Sequence, residues 1–213
     1  MPCNCCEITD SAFSEAEARS ELRNYRRRGP MNQTKLILEA VRSLGLRNVN
    51  LLDIGGGIGA IHHELLKDVA QQATHVDASS AYLREAKAET ARRGHSERVH
   101  FIHADFTEAA SGIPKAEIVT LDRVVCCYPD FRRLLKAAAE HSDRALSLTY
   151  PRQTWYLRIG FQIANFFQML RKDPFRVFLH PISEMDALLK REGFERVSLR
   201  RLFVWEMALY RRV

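Results

Sequence analysis

The stretch Val49-Asn50-Leu51-Leu52-Asp53-Ile54-Gly55-Gly56-Gly57-Ile58-Gly59 decides how the chain reads. Its first six residues, mostly apolar, pattern as a short buried strand. Glycines then break the run before a helical period resumes at Ile61, Leu65, Leu66 and Val69. A strand that feeds a helix through glycines lets the backbone approach a ligand, because side chains at those points would collide with it. A second acid, Asp77, closes the next strand at residues 74–77, where a carboxylate can accept hydrogen bonds from both hydroxyls of a ribose. A nucleoside-bearing ligand is therefore expected.

Two such ligands compete. Gly55, Gly57 and Ala60 satisfy G-x-G-x-x-A, the pattern that seats a nicotinamide or flavin dinucleotide. Asp53, two residues before the first glycine, favours S-adenosylmethionine instead: an acid there meets the ammonium of a bound amino acid and would repel a pyrophosphate.

Outward from this stretch the same alternation continues. Residues 99–103, 118–121 and 145–149 read as strands, with a helix from about 80 to 93 closed by Gly94 and another capped by Asp130. Parallel strands need crossover connections, so the pattern implies a mainly parallel sheet with helices on both faces. On the amino-terminal side, Ser14 with Glu17 forms a capping box for a helix carrying Ala18, Leu22 and Tyr25, which Gly29-Pro30 stops. Asn32 is expected to cap the next helix. On the other side, a helix over about 155–171 places Trp155, Ile159, Ile163, Phe166, Phe167 and Leu170 on one broad face, so it should be largely buried or cover something apolar. Ser183 and Asp186 open a last helix, and residues 196–202 and 204–210 read as strands. The expected organisation is a helical cap segment over residues 1–31 and one domain over 32–213, with a helical insertion at about 152–180.

Composition removes several classes. With 213 residues, 46% apolar and 27% charged, the chain is long enough for one sizeable core and is neither disordered nor a disulfide scaffold. No run approaches the roughly 18–20 apolar residues of a membrane span, and no signal peptide opens the chain, so a cytoplasmic protein is expected. The five cysteines, Cys3, Cys5, Cys6, Cys126 and Cys127, make no disulfide framework. No structural-zinc spacing follows them, and no metal is expected. The net charge of +6 is scattered apart from short runs such as Arg26-Arg27-Arg28, which argues against a nucleic-acid partner. The oligomeric state is not legible.

Asp53-Ile54-Gly55-Gly56-Gly57-Ile58-Gly59 resembles the D-x-G-x-G-x-G motif of the class I S-adenosylmethionine-dependent methyltransferases, and Asp77 falls at their ribose-binding acid. His103-Ala104-Asp105-Phe106 is similar to the segment that contacts adenine, and Leu121-Asp122-Arg123 to the one beside the methionine end. The resemblance implies a Rossmann-like sheet of seven strands, mainly parallel with an antiparallel last strand. It implies S-adenosylmethionine held by Asp53, Gly55, Gly56, Gly57, Gly59, Asp77, Ala78, Ala104, Asp105 and Asp122. The reaction it implies is in-line displacement of a methyl group from a sulfonium. Alignment alone supplies on the order of 7–11 kcal/mol, so no acid–base triad is needed.

The acceptor is read from fewer residues. The Asn-Pro-Pro-Tyr of base amine methyltransferases is absent, as are the Pro-Cys and Thr-Cys-Pro patterns of cytosine C5 enzymes, and Cys126-Cys127 reads as buried hydrophobe. Tyr25, Tyr128, Arg152 and Trp155 are expected to face the acceptor. His180 is expected to take a proton from a hydroxyl, and Tyr128 or Tyr150 to contact the sulfonium through its ring. The expected activity is transfer to a small, partly apolar molecule, on oxygen before other atoms. The alternatives are a thiol or metalloid acceptor that uses Cys3, Cys5 or Cys6, a nucleic-acid or protein acceptor anchored by Arg26-Arg27-Arg28, and cofactor binding without turnover.

Overall fold

A computed structural model describes residues 14–170 and 176–213. Cys3, Cys5, Cys6 and the expected helix end at Arg171 lie outside them. Seven strands form one sheet in the order β3-β2-β1-β4-β5-β7-β6: β1 (Val49–Ile54), β2 (Ala70–Asp77), β3 (Val99–His103), β4 (Ala116–Leu121), β5 (Ser142–Pro151), β6 (Phe194–Arg201) and β7 (Trp205–Arg212). β7 pairs antiparallel with both β5 and β6, and the remaining pairings are parallel, so six strands share one direction.

The central strands are apolar on both sides because both faces are covered. Leu51 and Leu52 are adjacent in β1, yet Leu51 joins the core under α2 (Asn32–Ser43) and α3 (Ala60–Leu65) while Leu52 joins the core under α6 (Phe131–Glu140) and α8 (Ile182–Arg191). Ile118 with Val119, and Ala145 with Leu146, divide the same way. Each fully buried leucine contributes about 2 kcal/mol of transfer free energy. The helix before α2, α1 (Glu15–Arg28), belongs to neither core: its Leu22 and Tyr25 pack on Ile58 and on Tyr82 of α4 (Ser80–Arg92), so α1 lies across the glycine loop.

The Ser14–Glu17 capping box forms as expected. Four local expectations are corrected. Asn32 is the first helical residue of α2, and Met31, held extended after Pro30, stands at the cap without a side-chain bond. Pro181 takes the cap of α8 in place of Ser183, its ring fixing a φ of −60°. α3 ends at Leu65, and β2 starts at Ala70, four residues before the expected 74: Leu66 and Val69 are buried in a turn, so their apolar spacing reported burial and not helix. The insertion helix α7 (Trp155–Leu170) forms but has no buried residue; Trp155, Ile163, Phe166 and Phe167 are half to three-quarters exposed. Among the described residues, Asn165 and Tyr156 anchor it. The Asn165 amide donates to the Val177 carbonyl (2.8 Å) and accepts from its N–H (3.0 Å), and Tyr156 stacks on Phe203.

Candidate cofactor and acceptor site

β1 and β4 are neighbours whose connections leave in opposite directions along the sheet, and a crevice opens at their carboxyl ends. Here lies a cavity of about 770 Å³, within the roughly 300–1,000 Å³ usual for small-molecule sites. Glu21 and Tyr25 of α1, Thr34 of α2, Asp53, and Asp122 with Arg123 are among its walls.

The glycine loop forms its floor. Gly55 sits at φ +60° and donates its N–H to the Val76 carbonyl (2.7 Å); a Cβ there would stand 2.4 Å from Val124 Cγ2. Gly57, at φ +57°, donates to Asp77 Oδ2 (2.8 Å). The other oxygen, Asp77 Oδ1, accepts from the Ser79 N–H (2.8 Å). Each oxygen keeps a lone pair for a further donor. Burial pushes the Asp77 carboxyl up to about 6, against the pull of those two N–H groups, and the nearby Asp53 adds to the rise.

Asp53 is wholly buried. Its Oδ1 accepts from Thr120 Oγ1 (2.8 Å), its Oδ2 has no hydrogen-bond partner, and burial raises its pKa. Asp122 is clamped by two hydroxyls, Thr34 and Thr149, each at 2.5 Å, and burial raises it too, with the Arg123 guanidinium working the other way. Arg123, in a left-handed conformation at φ +63°, reaches Glu21 of α1 at 2.7 Å. Tyr82 donates to the same glutamate at 3.0 Å.

Ala78, Ala104 and Asp105 follow the ends of β2 and β3 on the same sheet edge, outside the cavity lining. The Ala104 N–H donates to the Asp77 carbonyl (3.1 Å), and Asp105 caps α5 (Phe106–Ala109) through the Thr107 N–H (2.8 Å) while accepting from the Tyr128 hydroxyl (3.0 Å).

The residues expected to face the acceptor separate. Tyr25 lines the cavity, with its hydroxyl donating to Glu64 (2.8 Å) and Arg93 over its ring. The others stand elsewhere. Tyr128 is tied to Thr107 and Asp105, and Arg152 bonds the Val204 and Leu202 carbonyls, bracing the β6–β7 hairpin. Trp155 is 74% exposed on α7. Tyr150 is buried in the α6 and α8 core, its hydroxyl without a partner and its pKa raised by burial. His180 places Nε2 on the Tyr128 carbonyl (2.9 Å) between the Phe131 and Phe178 rings, and burial lowers its pKa. Neither Tyr150 nor His180 borders the glycine cavity.

Sequence reasoning did not pick out Glu21, Thr34, Tyr82 or Thr149. Their roles depend on contacts between residues far apart in the chain, such as Arg123 with Glu21 at a separation of 102, which no local spacing encodes. It also passed over His62 and His75. Both are fully buried beneath the loop, and their polar neighbours His63, Glu64 and Thr74 give no local sign of that burial.

Residues 51–144 match a family model described as a methyltransferase domain. No curated protein sequence matches the chain. Among solved structures, the magnesium protoporphyrin IX methyltransferase of Synechocystis PCC 6803 with bound S-adenosylhomocysteine superposes with a TM-score of 0.74 at 18% identity, covering 99% of this chain and 100% of that one. An N-methyltransferase of Bradyrhizobium japonicum, also in complex with S-adenosylhomocysteine, gives 0.64 at 16% identity over 84% and 85% of the two chains. An O-methyltransferase family 2 protein of Planctomyces limnophilus in complex with apigenin gives 0.67 at 17%, over 96% of this chain and 63% of that one.

Proposed function

The chain carries a class I S-adenosylmethionine-dependent methyltransferase domain, and on that premise we propose that it methylates an oxygen of a small, largely apolar, ring-bearing acceptor. The observation that carries this reading is the open apolar face of α7. The helix begins four residues beyond the carboxyl end of β5, on the sheet edge that holds the glycine loop, and offers Ile159, Ile163, Phe166 and Phe167 to a ligand. An apolar acceptor gains free energy on that face, while a highly charged one would not. The full-length structural neighbour is named for a porphyrin and another was solved with apigenin; both are ring systems with apolar faces.

In this reading Asp77 takes the ribose hydroxyls, Ala104 and Asp105 the adenine, and the glycine loop with Asp53 and Asp122 the methionine end. The cofactor supplies an electrophilic methyl group. The acidic walls Glu21, Asp53 and Asp122 favour its ammonium and sulfonium. The protein's contribution is alignment, so the acceptor oxygen can lose its proton to water. His180 and Tyr150 then act by position. His180 ties the end of the insertion to the Tyr128 carbonyl, and Tyr150 fills the core below it. The amino-terminal helix α1 covers the cofactor.

The test is transfer of labelled methyl from S-adenosylmethionine to a panel of hydroxyl- and carboxyl-bearing aromatic and macrocyclic compounds, matched with thiol and amine analogues. Products are identified by NMR. The variant Phe166→Asp with Phe167→Asp should raise the acceptor KM at least tenfold, leave cofactor affinity intact, and change stability by about 0.5 kcal/mol or less, as exposed sites do. Transfer confined to thiols or amines, or an unchanged KM, would refute the proposal.

A further inference from the structure

Beneath the glycine loop, three side chains from three elements converge: Asp53 at the end of β1, His62 on α3 and His75 on β2. One ligand atom from each lies within 4.8 Å of the others, and all three residues are fully buried. We propose that Asp53 Oδ2, His62 Nδ1 and His75 Nδ1 bind one divalent transition-metal ion, zinc in the first instance.

The distances fit. His62 Nδ1 is 3.2 Å from His75 Nδ1 and 3.6 Å from Asp53 Oδ2. A tetrahedral zinc with bonds of roughly 2.0–2.1 Å places its ligand atoms about 3.3 Å apart. Two imidazoles pointing their nitrogens at such an ion put their ring centres about 5 Å apart; here the centres are 5.1 Å apart with the planes at 85°.

Without an ion the cluster is poorly satisfied. The facing nitrogens can share one proton between them, but Asp53 Oδ2 is then left without a hydrogen-bond partner, with His62 Nδ1 at 3.6 Å, beyond hydrogen-bond range. A buried carboxylate oxygen in that state is costly. An ion satisfies this oxygen and both nitrogens together. The charge also balances better. Asp77 and Asp122 both feel the Asp53 carboxylate, so a dication sits among three acids.

A supporting shell is present. Thr120 Oγ1 donates to Asp53 Oδ1 (2.8 Å), and Thr90 Oγ1 stands 3.5 Å from His62 Nε2. Two loop glycines make room for the rings: a Cβ on Gly56 would fall 2.5 Å from His75 Nδ1, and one on Gly59 would fall against His62 Cε1. Two histidines and one carboxylate also suit iron(II), but that ion needs three further open positions. So enclosed a site favours four-coordinate zinc with water as the fourth ligand. Such an ion ties β1, α3 and β2 together beneath the loop. The metal site itself does not depend on the methyltransferase reading.

The experiment uses the full chain with Cys3, Cys5 and Cys6 replaced by serine, stripped with a chelator and titrated with cobalt(II). One equivalent should give the visible d–d absorption of a tetrahedral nitrogen and oxygen site, with no thiolate charge-transfer band. Zinc should abolish it stoichiometrically and raise Tm. His62→Gln and His75→Gln should each weaken cobalt binding at least a hundredfold, whereas His63→Gln should retain it. Circular dichroism of the metal-free variants checks that they fold; if they do not, the parent's spectrum and its metal content after purification still decide. Absence of the d–d bands together with a Tm indifferent to zinc, or bands that survive loss of both histidines, would overturn the proposal.

Discussion

Cofactor affinity should fall steeply on the acid side of neutrality, and Asp77 is the reason. Its carboxyl is pushed up to about 6 by burial, and in the proposed role of ribose acceptor it must be ionised to accept two hydroxyl hydrogen bonds while it holds the Gly57 and Ser79 N–H groups. At pH 5, about one-tenth of the free protein carries the ionised form, so the Kd for S-adenosylhomocysteine should be about tenfold weaker than its plateau above pH 7, or ~1.4 kcal/mol. Calorimetric titration between pH 5 and 8 measures this, and near pH 6 binding should release about half a proton, read from two buffers of different ionisation enthalpy. For folding, the same shift has the opposite sense. A carboxyl with a folded pKa above its unfolded value of 3.8 takes up a proton on folding between those values. Its share therefore opposes folding fully above about pH 6, by about 3 kcal/mol, and vanishes below about pH 4. The cofactor-free protein gains from acid through this group while the complex loses. Asp77→Asn should bind weakly and without pH dependence, and Asp122→Asn should keep the slope. A flat wild-type profile, or a slope that survives in Asp77→Asn, would refute the assignment.

Two further outcomes follow from packing and charge. Gly55→Ala should destabilise the fold by about 2 kcal/mol in urea titration, since its φ is +60° and the added Cβ would meet Val124 at 2.4 Å. Adding Val124→Ala should recover only the steric part. Glu89 is buried under Arg26, Arg92 and Arg93, all within 2.7 Å, which hold its carboxyl well below the usual range. Glu89→Gln should cost about 2 kcal/mol, less than a fully buried pair because Arg26 and Arg92 reach water. Limited proteolysis of that variant should cut α1 faster, because Arg26 is one of its anchors.

The fold was legible where one physical signal dominates. A two-sided apolar strand followed by glycines has few alternatives, and β1, its loop and the acid at the end of β2 stand where the pattern put them. Boundaries were less legible where two signals look alike: Leu66 and Val69 carry the apolar spacing of a helix but are buried by a turn. β5 runs to Pro151 because strands flank it on both sides, a tertiary fact absent from its own residues. The acceptor side was hardest. Order along the chain placed Tyr128, Tyr150 and His180 after strand ends, yet only the folded arrangement puts Tyr150 in the core and turns His180 onto a backbone carbonyl. For α7, the moment of its sequence predicts an apolar stripe correctly but carries no information about what meets it.

The crowding around the loop bears on how relatives of this chain can diverge. Gly55 faces Val124, Gly56 faces His75 and Gly59 faces His62, so each glycine is one half of a pair. Gly55 and Gly59 also need a positive φ, and no change in the partner frees them. Gly56 has no such requirement and is held by its neighbours alone, His75 and the Asp53 carboxylate. In a lineage where position 75 becomes small and the Asp53 carboxylate can turn into the space it leaves, alanine or serine at position 56 should become tolerable, whereas positions 55 and 59 should stay fixed. Glycines of one loop thus drift under different rules, Gly56 by compensation and Gly55 and Gly59 not at all.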